Sequence, residues 1–209
     1  MTETVTTAPN RMARRRERTR QQILDAVETV ILEHGYAEAS AEAIAELADL
    51  GRSTFYNHFD NKQDAVLAML IQHYHEYGDA AYVPLEETRD RAVSVVRSAS
   101  RIFKAMASDP LTRQLAERPR LLAKAIAESQ MEFLVRDFTE GVMQGRFRFA
   151  VSPESLATLL NWSYVGMLIR AINQDAIEDT SREWARFLLL NLGIGHDDIE
   201  DVVDTALRG

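Results

Sequence analysis

Apolar residues at helical spacing, rarely interrupted, constrain this chain more than any other feature. Ile23, Val27, Val30 and Ile31 recur at i, i+4, i+7 and i+8, one stripe along a helix. Val95, Val96, Ala99, Ile102, Phe103 and Met106 form another. Only 9 Gly and 5 Pro punctuate the 209 residues, and no stretch sustains the apolar-polar alternation of a half-buried strand. The pattern predicts an all-α protein.

The breaks between stripes are local and chemical. Gly35, in "HGY", is placed to end the first helix. Ser40 is suited to cap a short second helix that puts Ile44, Leu47 and Ala48 on one face. "DLG" at 49–51 is a tight break, "DNK" at 60–62 another, and a longer helix is expected from Lys62 into the Tyr74–Tyr77 region. Further on, "SDP" at 108–110 closes a helix, and Pro119 to Gln144 reads as a long one stopped by Gly145. Ser152 and Pro153 look like N-cap and first position of a helix reaching about Asn173. Thr180 and Glu183 form a capping box for a helix reaching Leu192, and the last residues suit one more short helix.

The stretch "GRSTFYNHF" at 51–59 is dense in aromatics and small polar groups. At about 100° per residue, Phe55 and Phe59 share a face that can pack on the two preceding helices. Ser53, Thr54 and Asn57 then project outward, Tyr56 and His58 flank them, and Arg52 sits in the first turn. Small groups at the centre let such a helix enter a DNA major groove, while the flanking side chains reach the phosphate walls. A short helix, a three-residue turn and a second helix compose a helix-turn-helix unit. The bland reading of nine residues is a polar helix on any helical surface.

Charge is unevenly placed. The net charge is −8, yet residues 11–20 hold six Arg against one Glu. From residue 63 onward, 22 Asp and Glu outnumber 16 Lys and Arg. A basic arm before an acidic body suits an anionic partner, or else a solubilising tail.

Taken in order, "TRQQILDAVETVILEHGY" and "IAELADLGRSTFYNHFDNKQDAVL" resemble the TetR family of bacterial transcription regulators over about residues 19–70. The shared pattern falls on Ile44, Ala45, Thr54, Phe55, Tyr56, His58, Phe59 and Lys62. Two positions depart from it: Asp49 stands where the turn usually carries Gly, and Gly51 where the recognition helix usually opens with Ser. The resemblance implies a flexible basic arm at 1–18, a helix-turn-helix DNA-binding domain at 19–65 and a larger helical ligand-binding and dimerisation domain at 66–209. It implies a homodimer on double-stranded operator DNA, usually a repressor, released by a small molecule. By position it assigns phosphate contacts to Ser40, Thr54, Tyr56 and Lys62, and base readout to Arg52, Ser53 and Asn57, with His58 at the groove edge. Arg can pair with guanine and Asn with adenine.

The remainder carries no comparable motif. The helices near 154–173 and 181–192 are apolar nearly all round, so both sides must be covered, by a partner subunit or by a monomer's core. Phe103, Met106, Met131, Phe138, Met143, Trp162, Tyr164 and Met167 are large, adaptable side chains suited to an effector cavity, or to plain core. Gln130, Asn161, Tyr164 and Arg170 can orient a ligand or bond to neighbouring helices, and Arg170 is expected to pair with a protein carboxylate.

Other classes fare worse. With no Cys there is no disulfide framework, zinc finger or thiol nucleophile. "GIGHDD" at 193–198 lacks the third Gly of a dinucleotide loop and follows a helix. His73 and His75 point to different faces of a helix, poor for a metal, and no Gly-x-Ser-x-Gly turn is present. No catalytic residue, metal or cofactor is therefore expected. A helical protein-interaction module is the main alternative and an enzyme the remotest. Without a signal-peptide pattern or a segment of about 18 apolar residues, a cytoplasmic location off the membrane is expected.

Overall fold

The computed structural model describes residues 11–208. Among them are α1 (Arg11–His34), α2 (Ala41–Leu47), α3 (Arg52–Tyr56), α4 (Lys62–Ala81), α5 (Leu85–Thr88), α6 (Arg91–Ser108), α7 (Pro110–Gln114), α8 (Pro119–Met143), α9 (Pro153–Gln174), α10 (Ile177–Asn191) and α11 (His196–Leu207). The all-helical expectation is met. No helix among the described residues is long and apolar enough to cross a membrane. The chain forms two compact units, one ending at Met69 and one beginning at Leu70.

In the first unit, Ile23, Leu24, Val27, Val30 and Ile31 of α1 are buried with Ile44, Phe55, Phe59 and Val66. Ser40 caps α2, its hydroxyl accepting from the Ala43 amide at 3.1 Å. Leu47 does not join the core and is 50% exposed. Ala41, Ile44 and Ala45 set the buried face of α2, and Leu47 lies roughly 110° round the helix from its centre. Asp49 takes the left-handed conformation, φ 54°, in the turn between α2 and α3. Its amide and that of Leu50 close back on the Glu46 and Ala45 carbonyls at 3.1 and 2.9 Å. Gly51 caps α3 with no side-chain bond.

The first helix starts earlier than the sequence suggested. Residues 11–18, expected within a flexible arm, are two turns of α1, while residues 1–10 of that arm lie outside the described residues. Arg, Ala, Met and Glu all have high helix propensity, and Arg20 lies 4.0 Å from Glu17 one turn away.

In the second unit, α8 packs on α9, and α6 packs on both α10 and α11. Asp90 caps α6, accepting from the Ala92 amide at 2.8 Å, and Ser152 caps α9, with Pro153 opening it. Asp109 caps α7, accepting from the Leu111 and Thr112 amides at 3.3 and 2.8 Å. The proposed capping box at Thr180 is not used. The helix begins a turn earlier, at Ile177, and Thr180 is buried inside it. Gly193 is a helix stop with φ 75°, and a Cβ there would lie 1.9 Å from the Arg148 carbonyl oxygen. The glycines of "GIGHDD" thus serve a helix end and the start of α11.

Candidate functional site

In the first unit, α3 buries Phe55 and Phe59, whose rings are 5.9 Å apart, and turns its other side to solvent. Ser53 and Asn57 are exposed, Thr54 and His58 half-buried, and Tyr56 is 44% exposed. Asn57 follows the last residue of α3 yet keeps helical backbone angles. The sequence treats 52–59 as one helical wheel, and the hydrogen-bonded helix is its first five residues.

Arg52 is pre-positioned. Its Nε donates to Glu42 Oε1 on α2 at 2.9 Å, and its guanidinium stands 5.5 Å over the Tyr56 ring. The Tyr56 hydroxyl and then Glu42 raise its pKa above the ordinary value. Lys62 is partly engaged: its ammonium donates to the Tyr36 and Ala37 carbonyls at 3.0 and 3.3 Å and sits 4.4 Å over the Tyr36 ring. It therefore ties the start of α4 to the chain leaving α1. Ser40 is exposed at the start of α2.

Two arginines of the basic run at 11–20, Arg16 and Arg20, lie beside this surface. Partial burial first, then the charges of Arg16 and Arg20, hold the His58 imidazole below its ordinary pKa. Arg20 also lies 5.6 Å over the Phe59 ring. The Arg-rich turns of α1 thus run beside the end of the recognition segment. Arg16 and Arg20 share a face at i, i+4, but only the packing of the first unit brings them near His58 and Phe59.

The second unit contains a cavity of about 320 Å³ between α4, α6, α8, α9 and α10. Val95, Ala99, Ile102, Ile126, Leu134, Phe138, Leu160 and Leu188 give it an apolar wall, joined by Gln130, Asn161, Tyr164 and Trp184. Asp79, Tyr82 and Arg136 are exposed lining residues, and Asp137, half-buried, pairs with Arg91 at 3.5 Å.

Of the side chains picked for a cavity, Phe138 and Tyr164 line it. Phe103 and Met106 form the layer behind Tyr164. The Phe103 ring meets the Tyr164 ring edge-on at 5.5 Å, and the Tyr164 hydroxyl donates to Met106 Sδ at 3.3 Å. Met131 and Met167 are half-buried and outside the lining, and Met143 is exposed. Trp162 is 54% exposed and shares the surface of α9 with Leu159, while Phe187 and Leu190 are exposed on α10. Arg170 pairs with Glu183. Trp184, which the sequence reading passed over, is a wall residue.

Gln130 connects the cavity to α4. Its Nε2 donates to the Tyr74 carbonyl at 2.6 Å, and it packs so closely on Gly78 that a Cβ there would be 2.8 Å from the amide. Tyr74 is held further: its hydroxyl donates to Thr112 Oγ1 at 3.0 Å, and Thr112 donates in turn to Asp109 Oδ2 at 2.7 Å. Burial alone would raise the Asp109 carboxyl, but hydrogen bonds from His73 and Thr112 outweigh it and hold the group below its ordinary pKa. Burial pushes the Tyr74 hydroxyl up.

Comparison with known proteins bears on both units. The sequence model of bacterial regulatory proteins of the tetR family matches residues 23–69, from α1 through the first turns of α4. ArpR of Pseudomonas putida, a probable HTH-type transcriptional regulator, is 32% identical over 103 residues, which are 48% of this chain and 49% of that protein. The chain thus spans about half the length of that relative. The transcriptional repressor DhaR of Mycobacterium sp. strain GP1 is 25% identical over 164 residues, 72% of this chain and 81% of that protein. Among solved structures, RolR in complex with resorcinol superposes with a TM-score of 0.78 at 20% identity, over 94% of this chain and 97% of that one, which establishes the shared fold. The helix-turn-helix segment thus matches the tetR family model over residues 23–69, and the fold that the chain shares with RolR extends beyond that segment.

Proposed function

We propose that the chain is a ligand-responsive transcriptional repressor that binds operator DNA as a homodimer and releases it when a small, mostly apolar molecule occupies the cavity. The observation that carries this reading is the exposed face of α3, where Arg52, Ser53 and Asn57 project from a helix anchored by Phe55. In this reading Ser40, Thr54, Tyr56 and Lys62 hold phosphate. Arg16 and Arg20 extend the same charge along α1, near His58. Leu159, Trp162, Phe187 and Leu190 supply the apolar face for a second copy, and a dimer that reads successive major grooves needs its recognition helices about 34 Å apart or a multiple of that. That RolR is crystallised with resorcinol supports a small-molecule role for the cavity. A regulator of this kind works in the cytoplasm and needs no enzyme activity.

The cavity can act on DNA through α4. A ligand that displaces Gln130 disturbs its bond to Tyr74 and its seat on Gly78, and α4 runs on to Lys62. By linkage, DNA lowers ligand affinity by the same factor that ligand lowers DNA affinity.

Mobility shift on DNA from upstream of the protein's own gene tests the reading. Tyr56→Phe should weaken specific and non-specific DNA alike. Asn57→Ala should cost about 1–3 kcal/mol on the specific site only and relax one base preference. Arg16→Ala should lower the salt slope by about one. Equal weakening of all sequences by Asn57→Ala would remove the base assignment, and no shift on any DNA would remove the function.

A further inference from the structure

We infer that the effector is a neutral aromatic alcohol, a hydroxyl on a one- or two-ring body, held between Trp184 and Asn161; this rests on the cavity being the effector site. The two side chains come from α10 and α9, both line the cavity, and they are only 4% and 7% exposed. Each has a buried polar atom without a hydrogen-bond partner: Trp184 Nε1 and Asn161 Oδ1. The amide orientation of Asn161 is fixed by chemistry. Its Nδ2 donates to the Ala123 carbonyl at 2.9 Å, and a carbonyl cannot donate, so the oxygen must be the free end. The two residues neighbour one ring. Asn161 precedes Tyr164 by one helical turn, and the Tyr164 and Trp184 rings meet edge-on at 5.3 Å.

An indole N–H only donates and an amide oxygen only accepts. A hydroxyl satisfies both, accepting from Trp184 and donating to Asn161. An ether or ketone can answer Trp184 but leaves the Asn161 oxygen buried and unpaired, which is costly. A carboxylate fails twice: it donates nothing, and no cationic side chain stands in the apolar wall to match its charge. The one lining guanidinium, Arg136, is at the solvent side and already contacts Asp137 at 3.5 Å. The rings of Phe138, Tyr164 and Trp184 favour an aromatic body. At about 320 Å³ the cavity equals roughly ten waters, so the body has on the order of ten to fifteen non-hydrogen atoms.

Calorimetric titration of the full chain with four probes of one shape tests this: 2-naphthol, 2-methoxynaphthalene, naphthalene and 2-naphthoate. The wild type should bind 2-naphthol at least about tenfold more tightly than the other three. In Asn161→Leu the preference for the alcohol over its methyl ether should fall to within about twofold. Trp184→Phe should weaken alcohol and ether by equal factors, since both offer an oxygen acceptor, and it leaves the Asn161–Ala123 bond intact if Asn161→Leu fails to fold. The inference is overturned if the ether or naphthalene matches the alcohol, if naphthoate binds tightest, or if none of the four binds. DNA binding is measured separately by mobility shift without any small molecule, so the effector class can fail while the regulator reading stands.

Discussion

The two compact units use polar side chains in opposite ways. In the first, Arg52, Ser53, Tyr56 and Asn57 stand exposed on five or six consecutive residues, and one buried Phe55 positions them all. In the second, Gln130, Asn161, Tyr164 and Trp184 face a cavity from three helices, and all four are buried. A surface that meets DNA faces a target of nearly constant shape, so its residue types recur at fixed spacing on one helix. A cavity is the space left between helices, and its shape depends on how they cross. The first kind of site is written locally, the second is assembled.

The sharpest way to break this comparison is to collapse one unit and watch the other. Phe55→Ala should cost the first unit about 3–5 kcal/mol, because a fully buried ring leaves a cavity behind. DNA binding should be lost while calorimetric binding of 2-naphthol persists. A parallel loss of 2-naphthol binding would show that the units unfold as one body.

A smaller effect tests the link between them. Gln130→Leu removes the bond to the Tyr74 carbonyl but keeps bulk beside Gly78. DNA affinity without ligand should be unchanged, while the drop in DNA affinity caused by saturating 2-naphthol should shrink by about tenfold, on the order of 1.4 kcal/mol of coupling. An unaltered response in a mobility-shift titration would move the link away from Gln130.

The smallest effect concerns pH. Burial and the charges of Arg16 and Arg20 keep His58 below its ordinary pKa in the free protein. A phosphate brought near it favours the charged form, so DNA binding takes up a proton and tightens as pH falls from about 7.5 to about 6. The expected gain is roughly two- to threefold, read by fluorescence anisotropy on labelled DNA, and it should vanish in His58→Gln. A gain that survives in His58→Gln belongs to another group.

By itself the sequence determined the helical class, most helix ends and the anchored side of α3. Each of these is set within a few residues. Periodicity fixes a buried face, Ser40 and Ser152 satisfy open amides at helix starts, and Phe55 and Phe59 lie one turn apart whatever surrounds them. The exceptions are equally physical. Leu47 fits an apolar stripe on a seven-residue helix, but Ala41, Ile44 and Ala45 take the core side. Thr180 and Glu183 satisfy a capping pattern, yet Asp175 adopts the left-handed conformation and lets α10 begin at Ile177. Tertiary structure alone decided which large side chains border the cavity, because Phe103 and Tyr164 belong to the same apolar class and differ only in which layer the crossing of α6 and α9 assigns them. It also decided that Arg16 and Arg20 lie beside His58, that Lys62 is held by two carbonyls, and that Trp184 and Asn161 keep unpaired polar atoms. Those relations join residues 20 or more positions apart, and their distances depend on packing angles that no local pattern of residues encodes.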